Sequence, residues 1–359
     1  MTAKPASTAQ DAVQLHAQVS SSHRHKPIDG WRGVAASFVV IAHAVNFRMT
    51  DIDGMLVHYV RRVSEPLATT GVQIFFVISG FIITSLLIRE RDERGGIGIA
   101  AFYIRRACRI LPPLLCYYLA LVVLVRAGMI ALPSSSFISS VTFTCNTDIV
   151  DCDWWVAHTW SLAVEEQFYL VFPFVFLLLT PGRRAAVLAA VLLVCMIGVA
   201  VQGPSFHGNF TSFGCIAAGA LYATSPRTRL TCQRLAHLIP WLIVALLLII
   251  VPLTPFAAIM LPLLPVLIVY LIFAGNFVWT VRYILETRVL QWLGLCSYSL
   301  YLWQQLFLAL PDRYADATPP TLLLLPVMVI ASVWLIEKPF IVLGRRWSRQ
   351  AGSNVKITP

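Results

Sequence analysis

Charge is what this sequence has least of. Charged residues make up 12% of its 359 positions, against about 25% in an ordinary soluble domain. That scarcity excludes a conventional water-soluble protein, and the mean hydropathy of +0.75 points the same way. The opening residues contain no apolar run, which excludes a cleavable signal peptide. Cysteine and histidine never fall at a zinc-binding spacing, so no metal site is expected. No internal repeat is visible of the kind that marks many two-halved transporters. The formal net charge of +10 would suit a nucleic-acid partner, but the basic residues sit at the ends of apolar runs rather than on one face. No nucleic-acid binding is expected.

What the chain has instead is apolar length: 58% of residues are hydrophobic. Helix candidates lie near 31–47, 70–88, 110–130, 160–179, 185–201, 210–223, 238–253, 256–275, 292–310 and 320–336. Several are shorter than the ~20 residues of a straight span. The expectation is an all-α integral membrane protein of about ten transmembrane helices, with a tight turn at Pro252-Leu253-Thr254-Pro255. Residues 1–27 read as a disordered cytoplasmic tail, 28–342 as one transmembrane domain and 343–359 as a second cytoplasmic tail. Of the 27 Lys and Arg residues, only Arg48, Arg61, Arg62, Arg126 and Arg313 fall outside if the N-terminus is inside. The positive-inside rule therefore puts both termini in the cytoplasm. The loop 131–159 then faces outward, carrying Asp148, Asp151 and Asp153 with no Lys or Arg. In it Cys145 and Cys152 form a disulfide if the outside is oxidising, or remain two thiols. The other six cysteines read as inert packing thiols.

Polar side chains inside apolar segments carry the chemistry. His43 lies in the first span, where an ionisable group is a functional candidate by default; the alternative is a neutral imidazole bonded to a neighbouring helix. Arg32, eleven residues earlier, shares its helix face within about 20° and lies roughly 16 Å away along the axis. That stripe suits an elongated cosubstrate with an anionic head and a reactive far end. Arg105, Arg106 and Arg109 follow the second span. They either anchor topology or, for Arg106 and Arg109 one turn apart, grip a phosphate group. Glu165 and Glu166 open the fourth span about 100° apart, so at most one faces the core, and His43 is a candidate partner for it. A carboxylate-oriented histidine is a recurring general-base arrangement. Trp160 and Tyr169 nearby also suit interfacial anchoring. Ser79 beside Gly80, and Tyr298, Tyr301 and Gln305 at helical spacing, either line a polar cavity or serve packing.

Taken in order, these residues resemble the acyltransferase-3 family of bacterial membrane O-acyltransferases. The resemblance rests on Asp29-Gly30-Trp31-Arg32-Gly33 with His43, Phe75-Phe76-Val77-Ile78-Ser79-Gly80-Phe81, and Arg105-Arg106 with Arg109 and Pro112. It continues through Trp160-Ser161-Leu162 with Glu165-Glu166-Gln167-Phe168-Tyr169, Ser297-Tyr298-Ser299-Leu300-Tyr301-Leu302, and Glu337-Lys338-Pro339. It implies about ten spans in the bacterial cytoplasmic (inner) membrane and transfer of an acyl group, commonly acetyl from acetyl-CoA, to hydroxyls of glycans or other exported acceptors. It also implies that Arg32 and His43 are essential and that Arg106 and Arg109 help hold the donor. His43 is then expected to act as general base, with Glu165 or Glu166 holding its tautomer. Ser79, Tyr298 or Gln305 would be oxyanion donors. Many relatives carry a fused extracytoplasmic hydrolase-like domain, which this sequence is expected to lack. Its acceptor would reach the membrane domain directly or through a separate partner protein. The alternative activity is a transporter or flippase of a lipid-linked glycan.

Overall fold

The structure is a computed structural model that describes residues 26–48, 55–147, 149–202, 208–250, 253–254, 257–308 and 323–353. The tails at 1–25 and 354–359, Asp148, Pro252, Pro255 and Arg313 lie outside the described residues. Every regular element among the described residues is helical. Helix α1 spans Lys26–Arg48, α2 Met55–Arg94 and α3 Ile99–Arg126. Two short helices, α4 (Ser134–Val141) and α5 (Trp154–Ala157), lead into α6 (Thr159–Leu178). Next come α7 (Pro181–Gln202), α8 (Asn209–Thr224), α9 (Pro226–Leu238), α10 (Trp241–Ile250) and α11 (Ala257–Met260). Helices α12 (Leu264–Ala274), α13 (Trp279–Leu285) and α14 (Arg288–Leu308) follow. The last are α15 (Leu324–Ala331), a π-helical turn Ser332–Glu337 and α16 (Lys338–Ser353).

Each predicted apolar segment falls mainly on helix where it is described, though the helix within 110–130 ends at Arg126 and that within 238–253 begins at Trp241. Six described helical stretches are long and apolar enough to cross a membrane, or eight if two sharply bent pairs each count as a span. One pair bends by 93° between α9 and α10, the other by 97° before α13. Helix α8 is only 16 residues long. Helix α14 is long enough, but its serines, tyrosines and glutamines lower its hydropathy, and most of them point into the protein. Several helices begin earlier than hydropathy suggests. Helix α3 starts at Ile99 instead of near 110, which places Arg105, Arg106 and Arg109 on helix rather than in a loop. The stretch between the predicted segments 210–223 and 238–253 forms helix α9. Ser225 caps it by accepting from the Thr228 N–H, and Pro226 suits the first turn.

Burial separates central from peripheral helices. The apolar window of Arg62–Arg94 is 67% buried, whereas that of Pro181–Gln202, with mean hydropathy 2.6, is 17% buried. The second therefore turns most of its apolar surface outward, as a lipid-facing helix does. Helix α2 packs against both α1 and α8, α1 also packs on α14, and α16 lies along α3.

These central contacts depend on missing side chains. A methyl group at Gly80 would overlap the carbonyl of Ile216, and one at Gly219 would overlap the carbonyl of Val77, so α2 and α8 touch backbone to backbone. Gly33 and Gly294 do the same for α1 and α14, against Leu290 and Asp29. Membrane helices gain little from the hydrophobic effect between one another, and close approach through small residues supplies dispersion contacts instead. In the loop 131–159 Cys145 and Cys152 are joined in a disulfide, Cα to Cα 5.8 Å. The other six cysteines are free and mostly buried.

The crossing gives a direct test. Gly219→Val should destabilise the protein by about 1–3 kcal/mol through overpacking. Gly182→Ala, where an added methyl meets nothing within 4 Å, should leave stability unchanged or slightly raised. Thermal unfolding of the two purified variants in detergent measures the difference; equal melting temperatures would contradict the close crossing.

Candidate active site

The α1–α14 crossing brings Arg32 to the side chains of α14. Its Nη2 donates to Ser297 Oγ at 2.9 Å. The α2–α8 crossing turns Gly80 toward α8 and leaves Ser79 facing a cavity of about 140 Å³. Helices α1, α2, α3, α6 and α14 all contribute to its wall.

The cavity wall carries two chemically different groups. Along α2 its wall runs from Val72 to Ile83, and along α6 from the preceding His158 to Tyr169. Each stretch covers twelve residues, about 16 Å of helix rise from first to last. On that wall Arg32 is joined to Ser297, Arg106 lies over Tyr169 and Arg109 lies in the field of Arg32, while His158, Ser161 and Tyr301 form a second group linked by hydrogen bonds and ring contact. In the first group Arg106 lies 5.9 Å from the Tyr169 ring centroid and 6.0 Å from that of Phe102. Arg109 interacts electrostatically with Arg32 and with Glu337. Glu337 ends the π-helical turn, is 4% exposed, and accepts from Ser299 Oγ at 3.0 Å. Ser299 also bonds Ser332, the first residue of that turn, so the irregular helix serves to aim polar groups at α14. Three guanidinium groups line the cavity against the single carboxylate of Glu165. The wall carries an excess of positive charge, which suits an anionic ligand.

Of the two glutamates at the start of α6, Glu165 lines the cavity and Glu166 does not. The Glu165 carboxylate accepts from Tyr169 Oη at 2.8 Å and lies in the field of Arg32 and Arg106. Ser79 Oγ bonds the same Tyr169 hydroxyl. With the tyrosine proton directed at Glu165, the Ser79 proton is directed at Tyr169. Glu165 is thus placed among the arginines and their hydroxyl partners. His43 is half-buried on α1, outside the cavity wall. Its ring centroid is 6.2 Å from that of Trp154, and it is close enough to His158 to interact electrostatically.

Three of the expected site residues are engaged by other protein groups. Arg105 turns away from Arg106 and Arg109 and pairs with Glu90 at 2.7 Å, because the end of α2 offers it a carboxylate. Gln305 does not line the cavity: its Nε2 donates to the Trp154 carbonyl at 2.6 Å, and the Trp154 indole N–H returns a bond to the Gln305 carbonyl at 3.2 Å. Tyr298 lines the cavity, and its hydroxyl donates to the Ile110 carbonyl at 2.7 Å.

Sequence reasoning missed His158, Ser161, Ser297 and Glu337 as site residues. The last three lie inside stretches already singled out. His158 lies two residues before Trp160, in what read as an external loop. Its signal was its place beside that stretch, since α5 and α6 are nearly continuous.

Comparison with known sequences agrees with this architecture. Residues 26–337 match the profile of the acyltransferase-domain family, acyltransferase 3. The chain belongs to that family. Among curated relatives, "Putative O-acetyltransferase SAS0844" of Staphylococcus aureus (strain MSSA476) is 32% identical over 183 residues, 45% of this chain and 26% of that protein. "Putative peptidoglycan O-acetyltransferase YrhL" of Bacillus subtilis (strain 168) is 26% identical over 390 residues, 91% of this chain and 57% of YrhL. O-acetyltransferase OatA of S. aureus (strain NCTC 8325 / PS 47) is 35% identical over 124 residues, 29% of this chain and 19% of OatA. This acyltransferase-3 chain therefore spans about a quarter of the staphylococcal relative SAS0844 and just over half of YrhL. No solved structure is significantly similar to it.

The reassignment of Gln305 is checkable. Gln305→Leu should cost about 1–3 kcal/mol by stranding the buried Trp154 carbonyl. It should lower the melting temperature without changing ligand affinity at the cavity by more than about threefold. A loss of ligand affinity without a loss of stability would return Gln305 to the site.

Proposed function

We propose that this acyltransferase-3 protein is a multi-pass enzyme of the bacterial cytoplasmic membrane that moves an acyl group, acetyl in the first instance, from acyl-CoA to a hydroxyl of an exported glycan. The reading is supported above all by the cluster of Arg32, Arg106 and Arg109 at one end of a cavity that reaches some 16 Å along its helices. A coenzyme A thioester has the matching shape, with phosphates at one end, a thin flexible arm and a reactive carbonyl at the other. Guanidinium forks suit phosphate oxygens. With both termini in the cytoplasm, as the distribution of basic residues suggests, the arginine end faces the compartment that holds acyl-CoA.

In this mechanism Arg106 and Arg109 grip phosphate oxygens, and Arg32, fixed by Ser297, steers the arm inward. Glu165 and Glu337 keep the three cations from repelling one another apart. The acceptor hydroxyl arrives from the other side, beside His43. As its oxygen attacks the thioester carbonyl carbon, His43 takes the hydroxyl proton. The carbon–sulfur bond then breaks and the same proton passes to the departing thiolate, so the products are an O-acyl ester and free CoA thiol. Removing a positioned general base typically costs 10²–10⁴ in rate. The names of YrhL and OatA favour a cell-wall or surface glycan as acceptor, reached directly or through a separate extracytoplasmic protein.

Purified protein should release free thiol from acetyl-CoA in the presence of such a glycan, and His43→Ala should slow that release by about 100-fold or more. Wild-type glycan acetylation by His43→Ala would end the assignment. Arg106→Ala and Arg109→Ala should each weaken CoA binding by about tenfold or more, the loss of a charge-assisted hydrogen bond, while changing acceptor KM little. Unchanged CoA affinity would make the pair a topology anchor only.

A further inference from the structure

The histidine end of the cavity holds four polar side chains: His158, Thr159, Ser161 and Tyr301. Three of them have their protons committed. Thr159 Oγ1 donates to the Val156 carbonyl at 2.7 Å. Tyr301 Oη donates to the His158 carbonyl at 2.8 Å. Ser161 Oγ lies 2.7 Å from Tyr301 Oη and 3.2 Å from the His158 carbonyl, so its proton has a protein acceptor either way. His158 is different. Its side chain is 4% exposed and lines the cavity, and neither Nδ1 nor Nε2 has a hydrogen-bond partner in the protein.

An imidazole carries at least one N–H donor, and in its neutral form one acceptor as well. Burying both without partners costs as much as leaving any buried polar group unpaired. The protein does not fill that deficit from its own groups: the ring is walled by the edges and faces of Tyr117 and Tyr301, with ring centroids 5.3 and 5.7 Å away. What remains for the imidazole is the cavity and whatever occupies it. With Ser79 turned to Tyr169, Tyr298 to Ile110 and Gln305 to Trp154, the three expected oxyanion donors are all engaged.

We propose that His158 is a catalytic contact of the transferred acyl group, its imidazole N–H holding the thioester carbonyl oxygen as that oxygen takes up negative charge. The assignment rests on the acyl-CoA reading above and adds the oxyanion donor it lacked. When the acceptor oxygen bonds to the carbonyl carbon, the carbonyl π pair moves to oxygen, and His158 stabilises that oxyanion through its N–H. The pair returns as the carbon–sulfur bond breaks, and the proton taken by His43 goes to sulfur. His158 therefore gains and loses no proton over the cycle. Its neighbour His43 does the proton transfer, and the two imidazoles divide the work between them. A fixed N–H donor aimed at a developing oxyanion typically contributes 10²–10³ in kcat.

Two independent arms test this. In the first, full-length His158→Phe should bind CoA within about threefold of wild type while kcat for acetyl transfer falls by about 100-fold or more. His158→Gln, which restores an N–H donor of similar reach, should recover a measurable part of that loss. In the second, bromoacetyl-CoA should alkylate the introduced thiol of His158→Cys, and excess CoA should protect it, because the probe carries an electrophilic carbon where the acetyl methyl sits. This arm needs no turnover, so it holds even if the phenylalanine variant folds poorly. A kcat for His158→Phe within threefold of wild type, or CoA-protected alkylation that spares position 158, would overturn the assignment. If wild-type protein binds no CoA and releases no thiol, the acyl-CoA reading itself fails, and the ligand proposed for His158 goes with it.

Discussion

Three guanidinium groups held inside a helix bundle are the constraint around which the rest of this structure is arranged. An isolated cation in a low-dielectric interior is costly, and the cost is tolerable only where dipoles, carboxylates and aromatic faces replace water. Here that replacement comes from different helices for each arginine. Ser297 on α14 takes Arg32, the Tyr169 and Phe102 rings flank Arg106, and Glu337 and Glu165 supply opposing charge. The arrangement leaves the cavity wall more cationic than neutral, which is wasteful for stability and useful only with an anion present.

The same constraint explains the close crossings. Side chains from α1, α2, α3, α6 and α14 converge on one narrow cavity, and the interfaces that place them must bring backbones together. Gly33 with Gly294, and Gly80 with Gly219, do this where any β-carbon would collide with a carbonyl. The glycine in Ser79-Gly80 and the serine beside it divide two jobs on adjacent helix faces: one packs, the other lines the cavity. The proline pair Pro112-Pro113 within α3 and the π-helical turn before α16 are two irregular points that lie next to groups lining the cavity.

Much of the architecture was legible in the sequence because lipid imposes so strong a pattern on composition. The ten apolar segments are mainly helical where described, and the family resemblance read from Asp29 through Pro339 agrees with the match over residues 26–337. Boundaries were less legible wherever a helix begins with polar residues. Hydropathy cannot see that Arg105, Arg106 and Arg109 continue α3, nor that a basic stretch after Ser225 forms α9. Within the site, residue type and spacing singled out Arg32, Arg106 and Arg109, which line the cavity, but left open whether Glu165 or Glu166 faces inward and whether Ser79 lines a cavity or serves packing. They could not show where a proton is already spent. Tyr298 and Gln305 looked like available donors and are occupied by the Ile110 and Trp154 carbonyls. Arg105 looked equivalent to its neighbours and is taken by Glu90. His158 escaped notice for the converse reason: its importance lies in bonds it does not make within the protein, and no sequence pattern displays those.

In the proposed complex coenzyme A lies lengthwise between the arginine cluster and the two histidines. A structure of the protein with CoA bound, determined in a lipid nanodisc, would show this. Phosphate density is expected against Arg106 and Arg109, and the thiol at the far end beside His158 and His43. Phosphates elsewhere on the protein, or a thiol pointing away from both imidazoles, would contradict it.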